Sequence, residues 1–245
     1  MEYAIEIKNL SKSFSSKKAV DDISCKIEKG QLFSMLGVNG AGKTTTIRLI
    51  TGLSKPTGGD VLVYGKSVNS QMEEIKPLLN LSPQENAAAG ALTVWENLVF
   101  MARLYGFSKA DAEKRARKLV EDFSMESELN TKAKTLSGGW QRRLSIAMAL
   151  VTDPKILFLD EPTLGLDVLA RRELWTVIRS LKGKVTIVLT THYMEEAEAL
   201  SDRIAVMTKG KIRAEGTLDE LLSATGAPNL EEAFIKIAEE DKNNV

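Results

Sequence analysis

The sequence predicts an α/β fold: a mostly parallel sheet, an antiparallel β subdomain at the N-terminus and an α-helical subdomain inserted between them. Three observations carry this expectation. The first 30 residues alternate apolar and polar in short stretches, as half-exposed antiparallel strands do. Later apolar runs do not alternate and are separated by helical patterns, the signature of a sheet buried on both faces. Between the two, from Thr93 to about Val151, apolar residues recur at helical spacing.

Taken in order, Ala4–Ile7 and Ala19–Ile27 read as two strands around the polar turn Ser15-Ser16-Lys17-Lys18. Leu32–Leu36 is a denser apolar run that enters a glycine-rich turn, and Thr44 to Leu53, with Ile47, Leu49 and Ile50, reads as the helix behind it. Gly58-Gly59-Asp60 opens a strand at Val61–Tyr64 that should join the N-terminal antiparallel sheet. Trp95, Leu98, Val99 and Ala102 form one helical stripe, and Ala116, Leu119, Val120 and Phe123 a second. Thr93-x-x-Glu96 is a capping box for the first helix, and Ser108-x-x-Asp111 starts the second. A third stripe is Leu144, Ala147, Met148 and Val151.

Strand and helix then alternate: Ile156–Leu159, a helix bearing Leu174, Val177, Ile178 and Leu181, and Val185–Leu189. Arg203–Thr208 and Lys211–Glu215 flank Lys209-Gly210 as a hairpin, and Thr217-x-x-Glu220 caps the segment behind it. Leu230, Ala233, Phe234 and Ile237 define a terminal helix, with the last five polar residues expected to fray.

Composition narrows the function. The chain has 245 residues, 33 basic and 33 acidic, so it lacks the positive footprint of a nucleic-acid binder, and none is expected as a partner. Its longest charge-free run is 13 residues, Gly30 to Gly42, short of the roughly 18 that suggest a spanning helix. No secretory signal opens the chain, which points to the cytosol. Cys25 is the only cysteine and His192 the only histidine, so neither a disulfide framework nor a cysteine–histidine metal cluster is expected.

The chemistry starts at Gly37-Val38-Asn39-Gly40-Ala41-Gly42-Lys43-Thr44, a phosphate-loop pattern between an expected strand and an expected helix. Such a pattern arises by chance in roughly 1% of chains this long, and the strand–helix context lowers that further. Glycines let backbone N–H groups face phosphates, and the helix N-terminus favours their charge. Gly37, Asn39, Gly40, Ala41, Gly42, Lys43, Thr44 and Thr45 are therefore the candidate nucleotide contacts. Lys43 would reach the β- and γ-phosphates, and Thr44 would offer its hydroxyl to Mg²⁺.

Asp160 and Glu161 end the apolar run Ile156–Leu159, where open α/β sheets bind ligands. Asp160 suits the Mg²⁺ shell, and Glu161 suits activation of the attacking water. Alone, two acids before Pro162 would simply terminate a strand; the phosphate loop reverses that reading. His192 likewise follows an apolar run, and three strands ending at Gly37, Asp160 and His192 converge economically on one phosphate site. Leu136-Ser137-Gly138-Gly139 precedes a helix: it is a second anion site in principle, and equally an ordinary serine cap.

With Leu136-Ser137-Gly138-Gly139 lying between the phosphate loop and Asp160-Glu161, the whole chain resembles the nucleotide-binding subunit of an ATP-binding-cassette (ABC) transporter, a P-loop NTPase. The resemblance implies residues 1–226 as the ATP-binding domain, with the helical subdomain at about 84–152 and an extension at 227–245. It implies ATP and Mg²⁺ as cofactors and Phe14 as the residue stacking on adenine, although Phe14 also suits a core position. Gln84 would join the Mg²⁺ and water site to a membrane partner, although it also suits an exposed loop. Ser137, Gly138 and Gly139 would contact the γ-phosphate of ATP held by a second copy, Glu161 would be the catalytic base, and His192 would touch the γ-phosphate. Asp167, in Leu164-Gly165-Leu166-Asp167, would lie at the dimer interface. One departure stands out: the fifth signature position, usually Gln, is Trp140.

Trp140–Arg143 and the tail Asn229–Phe234 look like the drug- and sodium-efflux type. The expectation is thus a homodimeric ATPase at the cytoplasmic face of the cell membrane, driving export through a separate polytopic permease. The alternative is a soluble, non-transport ABC ATPase of assembly, repair or translation. A GTPase would need an Asn-Lys-x-Asp segment, and the sequence has none.

Overall fold

The computed structural model describes residues 2–15 and 17–243. Ser16 of the expected turn and the last two residues of the expected frayed tail lie outside the described residues.

The chain begins with β1 (Tyr3–Phe14) and β2 (Lys17–Glu28), an antiparallel pair that leaves only Ser15 and Ser16 between its strands. Next come β3 (Leu32–Leu36), α1 (Lys43–Ile50), β4 (Gly58–Val63), β5 (Lys66–Ser67), the short α2 (Met72–Ile75) and β6 (Leu79–Ser82). The helical stretch holds α3 (Val94–Leu104), α4 (Lys109–Asp122) and α5 (Gly138–Leu150). Then β7 (Ile156–Asp160), α6 (Val168–Leu181), β8 (Thr186–Thr191), α7 (Met194–Leu200), β9 (Arg203–Thr208), β10 (Lys211–Gly216), α8 (Leu218–Thr225) and α9 (Leu230–Asn243) complete it.

Two sheets result. The antiparallel one has the order β2-β1-β4-β5, so the strand opened by Gly58 does join the N-terminal sheet. The other has the order β10-β9-β3-β8-β7-β6, parallel throughout except where β10 returns beside β9 as the expected hairpin. Every residue of β3, β7 and β8 is buried, which is why these strands read as unbroken apolar runs.

The parallel sheet separates two cores. Phe33, Met35, Phe158 and Val188 face one way, onto α1 and the inner side of the antiparallel sheet. Leu157, Leu159, Ile187 and Leu189 face the other, onto Leu98, Leu119, Leu144 and Ile178 of the helices. A third cluster seats Leu230, Phe234 and Ile237 of α9 against Leu36, Ile204 and Val206.

The helix starts follow the sequence signals. Thr93 and Glu96 make the reciprocal capping box of α3, Ser108 caps α4, and Thr217 with Glu220 caps α8. Some elements lie beyond what the sequence reading anticipated. β1 and β2 are longer than their alternation suggests, because register shifts between Ile7 and Leu10 and left-handed residues at Asn9 and Asp22 reset the pattern. β6 was not expected at all: it is a four-residue edge strand with only Leu79 and Leu81 as its apolar content.

Candidate active site

The phosphate loop connects β3 to α1 and takes its shape from backbone chemistry. Gly42 has φ +107°, and a Cβ there would fall 2.5 Å from the Ala19 carbonyl oxygen, so only glycine fits. Around the loop opens a cleft of about 440 Å³, lined by Phe14, Lys17, Ala19, residues 39–45, Gln84, Glu161 and Leu164. Phe14 is exposed at its rim rather than in the core. Gly37 lies beneath the loop, its carbonyl accepting from Lys43 Nζ at 2.7 Å.

The three strand ends do meet. β3, β8 and β7 are neighbours in the sheet, and their C-terminal ends deliver the loop, His192 and the Asp160-Glu161 pair to one place. Lys43, Asp160 and Glu161 are 5%, 5% and 6% exposed, so protein groups rather than water satisfy their charges. Lys43 Nζ lies 3.0 Å from Glu161 Oε1, while Glu161 Oε2 takes a close contact from His192 Nδ1. Asp160 Oδ1 accepts from Thr190 Oγ1 at 2.6 Å and from Thr44 Oγ1 at 3.0 Å. Glu161 itself sits at φ +50°, its N–H shared between the Thr190 carbonyl and hydroxyl oxygens, each at 3.1 Å.

The remaining candidates stand apart from this cleft. Ser137 caps α5 by accepting from the Trp140 N–H, and with Gly139 and Trp140 it borders a separate small hollow. Gly139 approaches α6 so closely that a Cβ would lie 3.1 Å from that of Ala170. Asp167 caps α6, accepting from the Ala170 N–H at 2.9 Å. The Trp140 ring carries the Arg143 guanidinium 4.4 Å from its centroid. A larger cavity, about 740 Å³, runs between α4 and the start of β7, and none of the predicted site residues lines it.

One functional connection was missed from sequence. Arg142, on α5, donates to the carbonyls of Pro83 at 2.6 Å and Gln84 at 2.5 Å. Burial pushes its guanidinium below the ordinary arginine value, and Asp160 and Glu196 counter the shift. Asn86 to Gln141 and Ser82 to Ser145, each 2.9 Å, bind the same segment to the same helix. The segment carrying Gln84 is thus laced to the helix that starts at the Ser137 turn. Its signal in sequence is weak, since two of the acceptors are backbone carbonyls.

Comparison with known proteins agrees with this geometry. Residues 20–164, more than half the chain, match the model of the ABC transporter family. Over 225 residues the chain is 42% identical to the daunorubicin/doxorubicin resistance ATP-binding protein DrrA of Streptomyces peucetius, covering 91% of this chain and 68% of that one. A solved ATP-binding subunit of an ABC transporter superposes with a TM-score of 0.83 at 30% identity, covering 96% of this chain and 99% of the other. The dimeric ATP-binding cassette MJ0796, solved in a post-hydrolysis state with ADP and phosphate, gives 0.78 at 27% identity, covering 87% and 98%. A phosphate loop facing paired carboxylates and a histidine at adjacent strand ends, in a chain so matched, places this protein in the ABC transporter family as an ATP-hydrolysing, ATP-binding subunit.

Proposed function

We propose that the protein is a homodimeric motor subunit that drives export of a drug-type substrate through a separate membrane-spanning permease. The observation carrying this reading is the division of the site within one chain. Lys43 and Glu161 line the cleft, with Asp160 and His192 bonded to its lining residues Thr44 and Glu161, whereas the Ser137–Gly139 turn opens elsewhere. A turn of that kind serves a nucleotide only if a second copy brings it there. Exposed Val38, Val168 and Leu169 beside the loop and the Asp167 cap supply apolar surface for such a contact. Among the described residues no helix is long and apolar enough to cross a membrane; in this reading the substrate path lies in a membrane-spanning partner, at whose cytoplasmic face the subunit sits.

Within each site the loop amides and Lys43 hold the β- and γ-phosphates, with Phe14 at the rim for the adenine. Thr44, Asp160 and Gln84 present only hard oxygen donors, a set that fits Mg²⁺. The ion, when bound, neutralises phosphate charge. Glu161 accepts a proton from the attacking water, and His192 steadies Glu161 and the γ-phosphate. Catalysis then rests on positioning and charge stabilisation. Residues 1–226 form the ATP-binding domain, with the helical subdomain at about 84–152; residues 227–245 are an extension, and α9 within it packs on β9. The relationship to DrrA, a drug-resistance protein, supports the substrate class.

Glu161→Gln tests the reading: the variant should retain ATP and dimerise in its presence, as seen by sedimentation, without turnover. Turnover at the wild-type rate removes Glu161 from its role, and a monomer with ATP bound removes the shared site.

A further inference from the structure

Close to the strand ends lies an acid that the hydrolysis chemistry leaves unused. Glu196, on α7, is completely buried. The Trp175 indole of α6 donates to its Oε1 at 3.0 Å. The hydroxyls of Thr191, at the end of β8, and Thr163, in the loop after β7, approach the same carboxyl and ease its ionisation. Burial outweighs them and holds the carboxyl above the ordinary glutamate value of 4.5, a direction that Glu161 reinforces. Glu196 is one of the two acids that act on Arg142 of α5, but that guanidinium is committed to the carbonyls of Pro83 and Gln84. Among the described residues no ion pair includes Glu196.

Three buried polar atoms among the described residues lack a hydrogen-bond partner: Glu196 Oε2, Thr163 Oγ1 and Nε of Arg171, an α6 guanidinium whose Nη1 lies 4.0 Å from the neighbouring Glu195. Buried polar atoms rarely stay unpaired, and an unpaired buried charge is costlier still. The Thr163 hydroxyl can pair with either form of the carboxyl; complete burial with no ion pair is what favours the neutral acid there.

We propose that Glu196 is a positioning residue that works as an uncharged carboxylic acid, pinning the loop after Glu161 and the strand end before His192 to α6 through Thr163, Thr191 and Trp175. Glu161 needs such support. Its left-handed backbone, φ +50°, is one that a residue with a side chain keeps only when its surroundings impose it. Thr190 grips the Glu161 N–H on one side, and the Glu196 carboxyl faces the chain two residues beyond, at the Thr163 hydroxyl.

The kinetic part of this inference rests on Glu161 and His192 carrying the reaction; the protonation part does not. Glu196→Gln retains a donor and an acceptor in place of the acid, and Glu196→Ala removes both. The alanine variant should lower kcat about 10- to 100-fold with KM for ATP unchanged, because Glu196 does not line the nucleotide cleft. The glutamine variant should recover most of kcat. If the alanine protein does not fold, Trp175→Phe, which deletes one donor, should show the same split between kcat and KM.

Urea unfolding gives the independent measurement. A carboxyl held above its unfolded value contributes stability that is present below about pH 4.5 and lost as the pH rises through the folded value. The midpoint of Glu196→Gln should therefore gain on wild type steadily from pH 4.5 upward. A gap that ignores pH, or a glutamine variant as inactive as alanine, means that the group works as a carboxylate and overturns the proposal. Intact kcat in both Glu196→Ala and Trp175→Phe overturns the positioning role. Failure of Glu161 as the base would instead appear as turnover in Glu161→Gln, with the midpoint result unaffected.

Discussion

Replacing Glu161 by glutamine should tighten ATP binding as well as stop turnover. Lys43 Nζ rests 3.0 Å from Glu161 Oε1 and 2.7 Å from the Gly37 carbonyl oxygen, so it must exchange a carboxylate for a phosphate when nucleotide arrives. At an effective dielectric near 20 the two charges attract by about 5.5 kcal/mol before desolvation is counted. The net worth of a charge-assisted contact of this kind is about 1.5–3 kcal/mol. Glutamine removes most of that competition and also the repulsion between a buried carboxylate and the triphosphate. Both effects have the same sign. Dissociation constants for a non-hydrolysable ATP analogue should fall about 10- to 100-fold, at about 1.4 kcal/mol per tenfold. Equilibrium titration at protein concentrations too low for dimerisation measures this directly, with Lys43→Ala as the control that loses binding in either background. An affinity that is unchanged or weaker in Glu161→Gln would show that Lys43 is not held back by Glu161 and would refute the reasoning.

Arg142→Ala should lower kcat about tenfold while leaving KM for ATP alone, because it frees the segment bearing Gln84 without touching the phosphate loop. Arg142→Lys should not rescue it, since one ammonium does not match a planar fork that spans two carbonyls; steady-state kinetics of both variants decides. Gly42→Ala should abolish nucleotide binding in the same titration, because the new methyl meets the Ala19 carbonyl at 2.5 Å and the φ of +107° suits no side chain. Binding at wild-type strength would mean that the loop does not need its observed shape.

The parts of the site legible in sequence were those whose chemistry is contiguous. Gly37 to Thr44 carries its whole motif in eight successive residues, and Asp160-Glu161 and His192 announce themselves as polar groups ending apolar runs. What stayed hidden depends on partners without a sequence signature. Arg142 holds carbonyls 59 and 58 residues away, and any residue offers a carbonyl. Glu196 sits in Met194-Glu195-Glu196-Ala197-Glu198, which reads as a solvated helix face until the fold turns one of its acids inward. The pairing of Lys43 with Glu161 was also unforeseen, because sequence motifs describe a loaded site and the chain alone must satisfy its own buried charges. In the fold, caps and buried strands followed their signals, whereas the bulged β1–β2 pair and the edge strand β6 did not, since bulges erase alternation and a four-residue edge needs little apolar content.

The placement of the candidate site at the ends of β3, β7 and β8 has a consequence for how this protein fails. Those strands are the shared wall of both large cores, with Phe158 facing one and Leu157 and Leu159 the other. Loosening either side, whether by heat, by denaturant or by damage to a distant helix, withdraws packing from the same strand ends that aim Asp160, Glu161 and His192. No half-melted form can keep a working site, so loss of activity is an early and global gauge of the whole fold rather than a report on the cleft.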